Sequence, residues 1–234
     1  MSKPRLLAGA AATLLAAGCL ADPAPAARRA GPPPGPPRIQ VLGADGRALT
    51  PGAVIEPGTS LTVRTTRGTL LRVLVADHTT GGAASRVPRA STTPVTRLVP
   101  GHRYTITATA LAPAGDAVTG ALPLSVAAAR RVLKFAITPR QGATVAPGTP
   151  IQVRFSHPVR ERAAVEAGMS VISSWPLPGG RWHWPSPTRA VYRYDPAGEP
   201  RNKIAVTVDL AGIRAGDGLF GVSAERVQFT SAAR

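Results

Sequence analysis

A single cysteine, Cys19, occurs in 234 residues, so no disulfide can form within the chain and a thiolate nucleophile has only one place to be. Aromatic residues make up 4% of the sequence. Any core must therefore come from the alanine, valine and leucine that supply most of the apolar content, which suits thin β domains. No segment holds apolar positions at a helical period for more than two turns, and no apolar run is long enough to span a bilayer. His78, His102, His157 and His183 lie far apart and form no H-E-x-x-H or other ligand spacing, so no metal and no cofactor is expected. No G-x-S-x-G occurs, and Asp209 and Asp217 have no helix or strand spacing that would join them as an acid and base pair. Residues 216–221 formally read G-x-G-x-x-G, but a strand rather than a helix follows, so the segment is expected to be a turn and not a dinucleotide site.

What is present begins at the N-terminus. Lys3 and Arg5 precede an apolar run, residues 6–15, of the length of a secretory h-region. Ala17 and Gly18 are small, and Cys19 follows. This arrangement resembles the lipobox of bacterial lipoproteins. The resemblance implies a signal peptide over 1–18, cleavage before Cys19, and a diacylglyceryl group with chains such as palmitate on its thiol. Two buried chains, at about 0.8 kcal/mol per methylene, hold a protein stably on a membrane. The mature chain is then expected on the outer face of the cell membrane. The alternative is an ordinary cleaved signal that leaves Cys19 as an unpaired thiol. Residues 19–37 read as anchor and linker, with seven prolines between Asp22 and Pro37 and no apolar periodicity. Such chain is semi-rigid polyproline II at about 3.1 Å per residue, a spacer of up to roughly 50 Å.

Charge is strongly one-sided, with 28 basic residues against 12 acidic and a net charge of +16. Of the 28, 25 are arginine, and without Lys3 and Arg5 the balance is 26 to 12. One reading is attraction to anionic material outside a bacterial membrane: wall polymers, peptidoglycan carboxylates or lipid headgroups. The other is compositional drift in a chain rich in alanine, glycine, proline and arginine. The basic residues are scattered rather than clustered, and export removes the usual partner, so nucleic acid is not expected.

From residue 38 the chain reads as short strands between turns. Residues 38–42, 61–63 and 70–75 are strand-length apolar or alternating runs, punctuated by Gly58, Gly68, Gly81 and Gly82. Leu98-Val99-Pro100-Gly101-His102-Arg103-Tyr104 has the L-x-P-G-x-x-Y form of a tyrosine corner, with Pro100, Gly101 and Tyr104 as structural residues; the plainer reading is a turn plus strand. A joint at 127–131 precedes a second series. It runs through residues 132–135, then Ile151, Val153 and Phe155 at period two, then 169–172, 181–184, 191–194, 204–210 and 227–230. Residues 160–167, free of Gly and Pro, are expected to form one or two helical turns. Seven or so strands per half predict an all-β chain of two tandem immunoglobulin-like sandwiches, 38–128 and 129–234, after the signal peptide and linker.

The second half carries a more specific resemblance. Residues 155–166 (FSHPVRERAAVE), 180–184 (GRWHW), 191–194 (VYRY) and 216–221 (GDGLFG) resemble the immunoglobulin-like domain that precedes the catalytic domain of actinobacterial L,D-transpeptidases. The segment around Tyr104 is similar to the membrane-proximal domain of the same family. The resemblance implies two such domains without the enzyme, since the family's S-x-G-C nucleophile has no counterpart after Cys19. Residues 196–202 depart from the family's Tyr-Trp-Pro-type loop.

Trp182 and Trp184, two residues apart, fall on one face of a strand, with Tyr192 or Tyr194 as cross-strand partners. Beside Arg181, an exposed row of these rings would stack on sugars or dock a protein; the alternative is that the row is core or an interdomain seam. The expected function is a non-catalytic, lipid-anchored envelope protein that acts as spacer and as a wall-binding or protein-interaction module. Its partners would be the membrane and peptidoglycan, anionic wall polymers or a wall-synthesis protein. The rival is the anchor-and-spacer part of an L,D-transpeptidase, which makes 3-3 peptidoglycan cross-links, with its catalytic domain truncated or on a separate chain.

Overall fold

The structure, a computed structural model, describes residues 36–195 and 201–232, all within one compact unit, Pro36–Arg234. Residues 1–18, expected as a signal peptide, Cys19 and nearly all of the stretch expected as a linker lie outside the described residues. Eight strands come first: β1 (Ile39–Leu42), β2 (Ala53–Ile55), β3 (Leu61–Thr65), β4 (Thr69–Asp77), β5 (Ala83–Arg86), β6 (Thr92–Val95), β7 (Arg103–Leu111) and β8 (Ala117–Val126). They form a sheet of order β1-β3-β6 and one of order β2-β8-β7-β4-β5. Alternation decides which side each strand buries. In β7, Tyr104, Ile106, Ala108 and Ala110 are buried while Thr105, Thr107 and Thr109 stay partly wet. Val41, Leu61, Val63 and Val95 from one sheet meet Leu70, Val73, Ile106 and Leu124 from the other in a single core.

The chain continues with β9 (Arg131–Leu133), β10 (Phe135–Thr138), β11 (Thr144–Val145), β12 (Ile151–Phe155), α1 (Arg162–Ala167), β13 (Met169–Ser173), β14 (Arg181–Ser186), β15 (Arg189–Arg193), β16 (Lys203–Asp209), β17 (Arg214–Gly216), β18 (Leu219–Gly221) and β19 (Ala224–Ser231). Sheets of order β10-β12-β15-β14 and β11-β19-β16-β13 enclose a second core, with a small sheet β17-β18-β9 beside them. Ile151, Val153, Phe155 and Ala190 meet Ile204, Val206, Val208 and Phe229 there. The all-β, immunoglobulin-like architecture agrees with the expected fold class.

Local differences from expectation have local causes. Residues 132–135 were expected as one strand but divide at Lys134, whose N–H is taken by the Ser156 hydroxyl at 2.9 Å. The helix begins two residues late because the N–H groups of Arg160 and Glu161 both donate to the Ala215 carbonyl. β8 has no counterpart among the expected strands; Gly120 and Pro123, residue types that weaken strands, lie inside it. Pro123 is tolerated because its carbonyl accepts from Gly52, putting the missing N–H on that same side, just ahead of the β2 ladder that starts at Leu124. Residues 216–221 are the end of β17, a turn at Asp217-Gly218 and β18, with Gly218 at φ 63°.

Between the two cores the chain makes polar, close contacts. The Arg97 guanidinium lies 2.9 Å from the Asp209 carboxylate and donates to its backbone carbonyl at 3.0 Å. Gly212, at φ 72°, is required there, because a Cβ would run into the Arg97 carbonyl.

Candidate functional site

Strands β14 and β15 carry Arg181, Trp182, Trp184 and Tyr192 of the candidate surface, and Tyr194 follows directly after β15. Trp182 and Trp184 do share a face, but that face is turned inward. Both are half-buried and packed against the second core, as is Tyr192, while Tyr194 is 9% exposed. Trp184 stacks on Phe155 with centroids 5.4 Å apart, and Arg162 lies over its ring at 5.3 Å. Its indole N–H donates to Glu166. Trp182 meets Tyr192 edge-on at 5.3 Å. Arg181 belongs to the opposite, solvent side of β14. The exposed aromatic platform beside Arg181 is therefore not formed, because an aromatic-poor chain spends its rings on filling the core.

Pro100 and Gly101 form the turn before β7. Gly101 adopts φ 82°, and the His102 N–H donates to Val99 across the turn, the geometry of proline then glycine in a type II turn. The Tyr104 hydroxyl accepts the Val99 N–H at 2.9 Å, which is the bond of a tyrosine corner. Burial pushes the Tyr104 phenol above its ordinary value.

Other polar groups are engaged in the fold. Asp77 faces His102 at 2.8 Å and accepts the Thr79 N–H at 2.8 Å and the Thr80 hydroxyl at 3.0 Å. Burial raises the Asp77 carboxyl, but these bonds outweigh it and hold the group below its usual range. His78 bonds Thr105, and His157 bonds Ser156. Asp209 pairs with Arg97, and Asp217 with Arg160 and Arg214. Among the described residues no cluster of His, Cys, Asp and Glu could hold a metal, and no helix is long and apolar enough to cross a membrane.

What sequence reading missed is the outer face of the β10-β12-β15-β14 sheet. Pairing register places Arg154 opposite Arg189 and Arg181 opposite Arg193, with His183 opposite Val191 between them. Arg154, Arg181 and Arg193 are exposed. None of the four arginines has an ion pair or side-chain hydrogen bond among the described residues. The Arg189 Nε is shut off from water without an acceptor. An open groove of 740 Å³ runs past Arg181, His183 and Arg193 to Tyr194 and Asp195. The Tyr194 hydroxyl is buried without a partner. The available signal was arginine at period-two positions, but which strands are neighbours is not written in any one of them.

Comparison with known proteins adds the following. A family model described as Bacterial Ig domain matches residues 53–214. L,D-transpeptidase 2 of Mycobacterium tuberculosis (strain CDC 1551 / Oshkosh) is 27% identical over 129 residues, 55% of this chain and 31% of that protein. The chain thus spans about a third of that relative's length. Among solved structures, an L,D-transpeptidase from Mycobacterium smegmatis is 23% identical, covering 43% of this chain and 40% of that one at a TM-score of 0.30. The fibronectin(III)-like modules of Clostridium thermocellum CbhA cover 82% of this chain and 94% of theirs, at 14% identity and a TM-score of 0.27.

Proposed function

The chain belongs to the bacterial Ig domain family, and from that premise we propose that it is a non-catalytic envelope protein, exported and held to the outer face of the cell membrane through Cys19. Two tandem sandwiches, 38–128 and 129–234, serve as spacer and as a binding module for the wall or for a protein that builds it. The observation that carries this reading is the family match over residues 53–214, which takes in strands of both cores. The similarity to an L,D-transpeptidase supports a wall setting. Sedimentation of the purified chain with isolated peptidoglycan at low salt tests the binding role, and a chain that stays in the supernatant overturns it. Mass measurement of the membrane-extracted protein tests the anchor: a diacylglyceryl increment on Cys19 is expected, and a bare thiol on a released chain overturns it.

The 27% identity over 129 residues also favours a second reading, in which the protein is the anchor and spacer of an L,D-transpeptidase whose catalytic part is encoded apart. A downstream S-x-G-C segment, or recovery of such a chain by crosslinking, would decide for it.

A further inference from the structure

We infer that the outer face of the β10-β12-β15-β14 sheet is a binding surface for a linear, base-free polymer of phosphate groups, gripped by Arg154, Arg189, Arg181 and Arg193. The inference deepens the wall-binding reading and rests on it for the setting; the face and the ligand chemistry are argued from geometry alone.

Like charges directly opposite on neighbouring strands destabilise a sheet. Here two such pairs lie on one face, and the four strands contain no aspartate or glutamate to offset them. The carboxylate lining the groove, Asp195, stands two residues beyond Arg193 and pairs with neither arginine of the groove. Among the described residues the face therefore has no counter-charge for its paired arginines, and what would supply one is anionic.

Phosphate is favoured over carboxylate by where the charge sits. Facing residues have Cα atoms about 5 Å apart, so two guanidiniums can converge on one group. The two free oxygens of a linking phosphate stand on a tetrahedral centre in the polymer backbone itself and can be met from two sides, whereas a carboxylate's pair lies flat at the end of a side group and suits one arginine fork. Arg189 and Arg193, four residues apart on β15, are about 13 Å apart, so the two pairs call for a chain bearing several charges. A bilayer is disfavoured because surface-binding segments insert apolar side chains beside their basic ones. The exposed large apolar residues, Val54, Leu71, Val87, Leu111, Ile172 and Trp175, all lie outside these strands. Nucleic acid is disfavoured because single strands need aromatic faces for their bases, and Trp182 and Trp184 look into the core.

The test uses the full chain and long-chain inorganic polyphosphate as probe, followed by fluorescence anisotropy across a salt series. R181S/R193S and R154S/R189S should each weaken binding about tenfold or more at low salt and flatten the log Kd against log salt slope by about two. R64S/R226S, which removes the same charge elsewhere, should change affinity less than threefold, or roughly 0.6 kcal/mol. Circular dichroism verifies that the variants remain folded. Equal losses from all three pairs would reduce the effect to net charge and overturn the proposal. So would equally tight binding to polyglutamate or to oligo-dT, or arginine-dependent binding to phosphatidylglycerol vesicles. If R181S/R193S loses polyphosphate but still sediments with peptidoglycan, the wall reading stands apart from this face; if the wild type binds polyphosphate but not wall, the wall reading alone fails.

Discussion

The two cores are made of different material. Of all the tyrosines, tryptophans and phenylalanines, Tyr104 is the only one before residue 130, and the first core is otherwise aliphatic. The second has Phe155, Phe229 and Tyr194 at its centre, with Trp182, Trp184 and Tyr192 against it. The first half compensates with long ladders: β7 pairs along its whole length with β8 and nearly so with β4. With small side chains in the core, backbone pairing carries more of the order. Large rings allow shorter, more numerous strands. One family fold is thus reached by two balances of ladder and packing.

Substitutions can break that contrast. Phe229→Ala, at a side chain 1% exposed, should destabilise the second core by about 3–5 kcal/mol, and the equally buried Ile106→Ala should cost the first about 2–4 kcal/mol. Urea titrations that reverse this order would refute the difference in dependence on packing.

The tyrosines give a sharper comparison because their signs differ. Tyr104→Phe leaves the Val99 N–H without its acceptor and should cost about 1–3 kcal/mol. Tyr194→Phe removes a buried hydroxyl that has no partner, so thermal unfolding should show no loss or a gain of up to about 1 kcal/mol.

Titration should separate the halves as well. The Asp77 carboxyl is held below its ordinary value of 3.8, so its contribution is complete well above that value and is lost as pH falls through the folded one. Asp77→Asn should flatten that acid limb. Burial pushes the phenols of Tyr192 and Tyr194 above their ordinary value of 10.0. Their contribution is present below pH 10 and disappears as pH rises through the folded values. The first half has one such phenol, Tyr104, against these two, so the larger alkaline loss is expected in the second half, as tryptophan fluorescence would report, all three tryptophans being there. The smallest effect is expected at the contact between the cores. Arg97 and Asp209 are each more than 40% exposed, so Arg97→Ala should cost under about 1 kcal/mol; a larger loss in calorimetry would mean that the cores unfold as one.

How much was legible follows the range of the contacts involved. Alternation in β7 and β12, and the turn grammar from Leu98 to Tyr104, are local and could be read directly. Trp182 and Trp184 could be put on one face by spacing, but not on the inner one, since period two is blind to which side is wet. β8 was hidden because proline and glycine are breakers unless a neighbouring strand accommodates them. The arginine face was hidden most completely. Arg154, Arg181, Arg189 and Arg193 look scattered along the chain, and only antiparallel pairing between β12, β15 and β14 brings them together.

The parallel pairs β2 with β8 and β11 with β19 join an early strand of each half to its last one. Tension applied through the two ends of either half would pull such neighbours in opposite directions along their length. Their bonds would bear the load together rather than peel open one by one. A body assembled in this manner resists stretching in proportion to the number of rungs, a useful property for anything moored at one end and caught on a rigid mesh at the other.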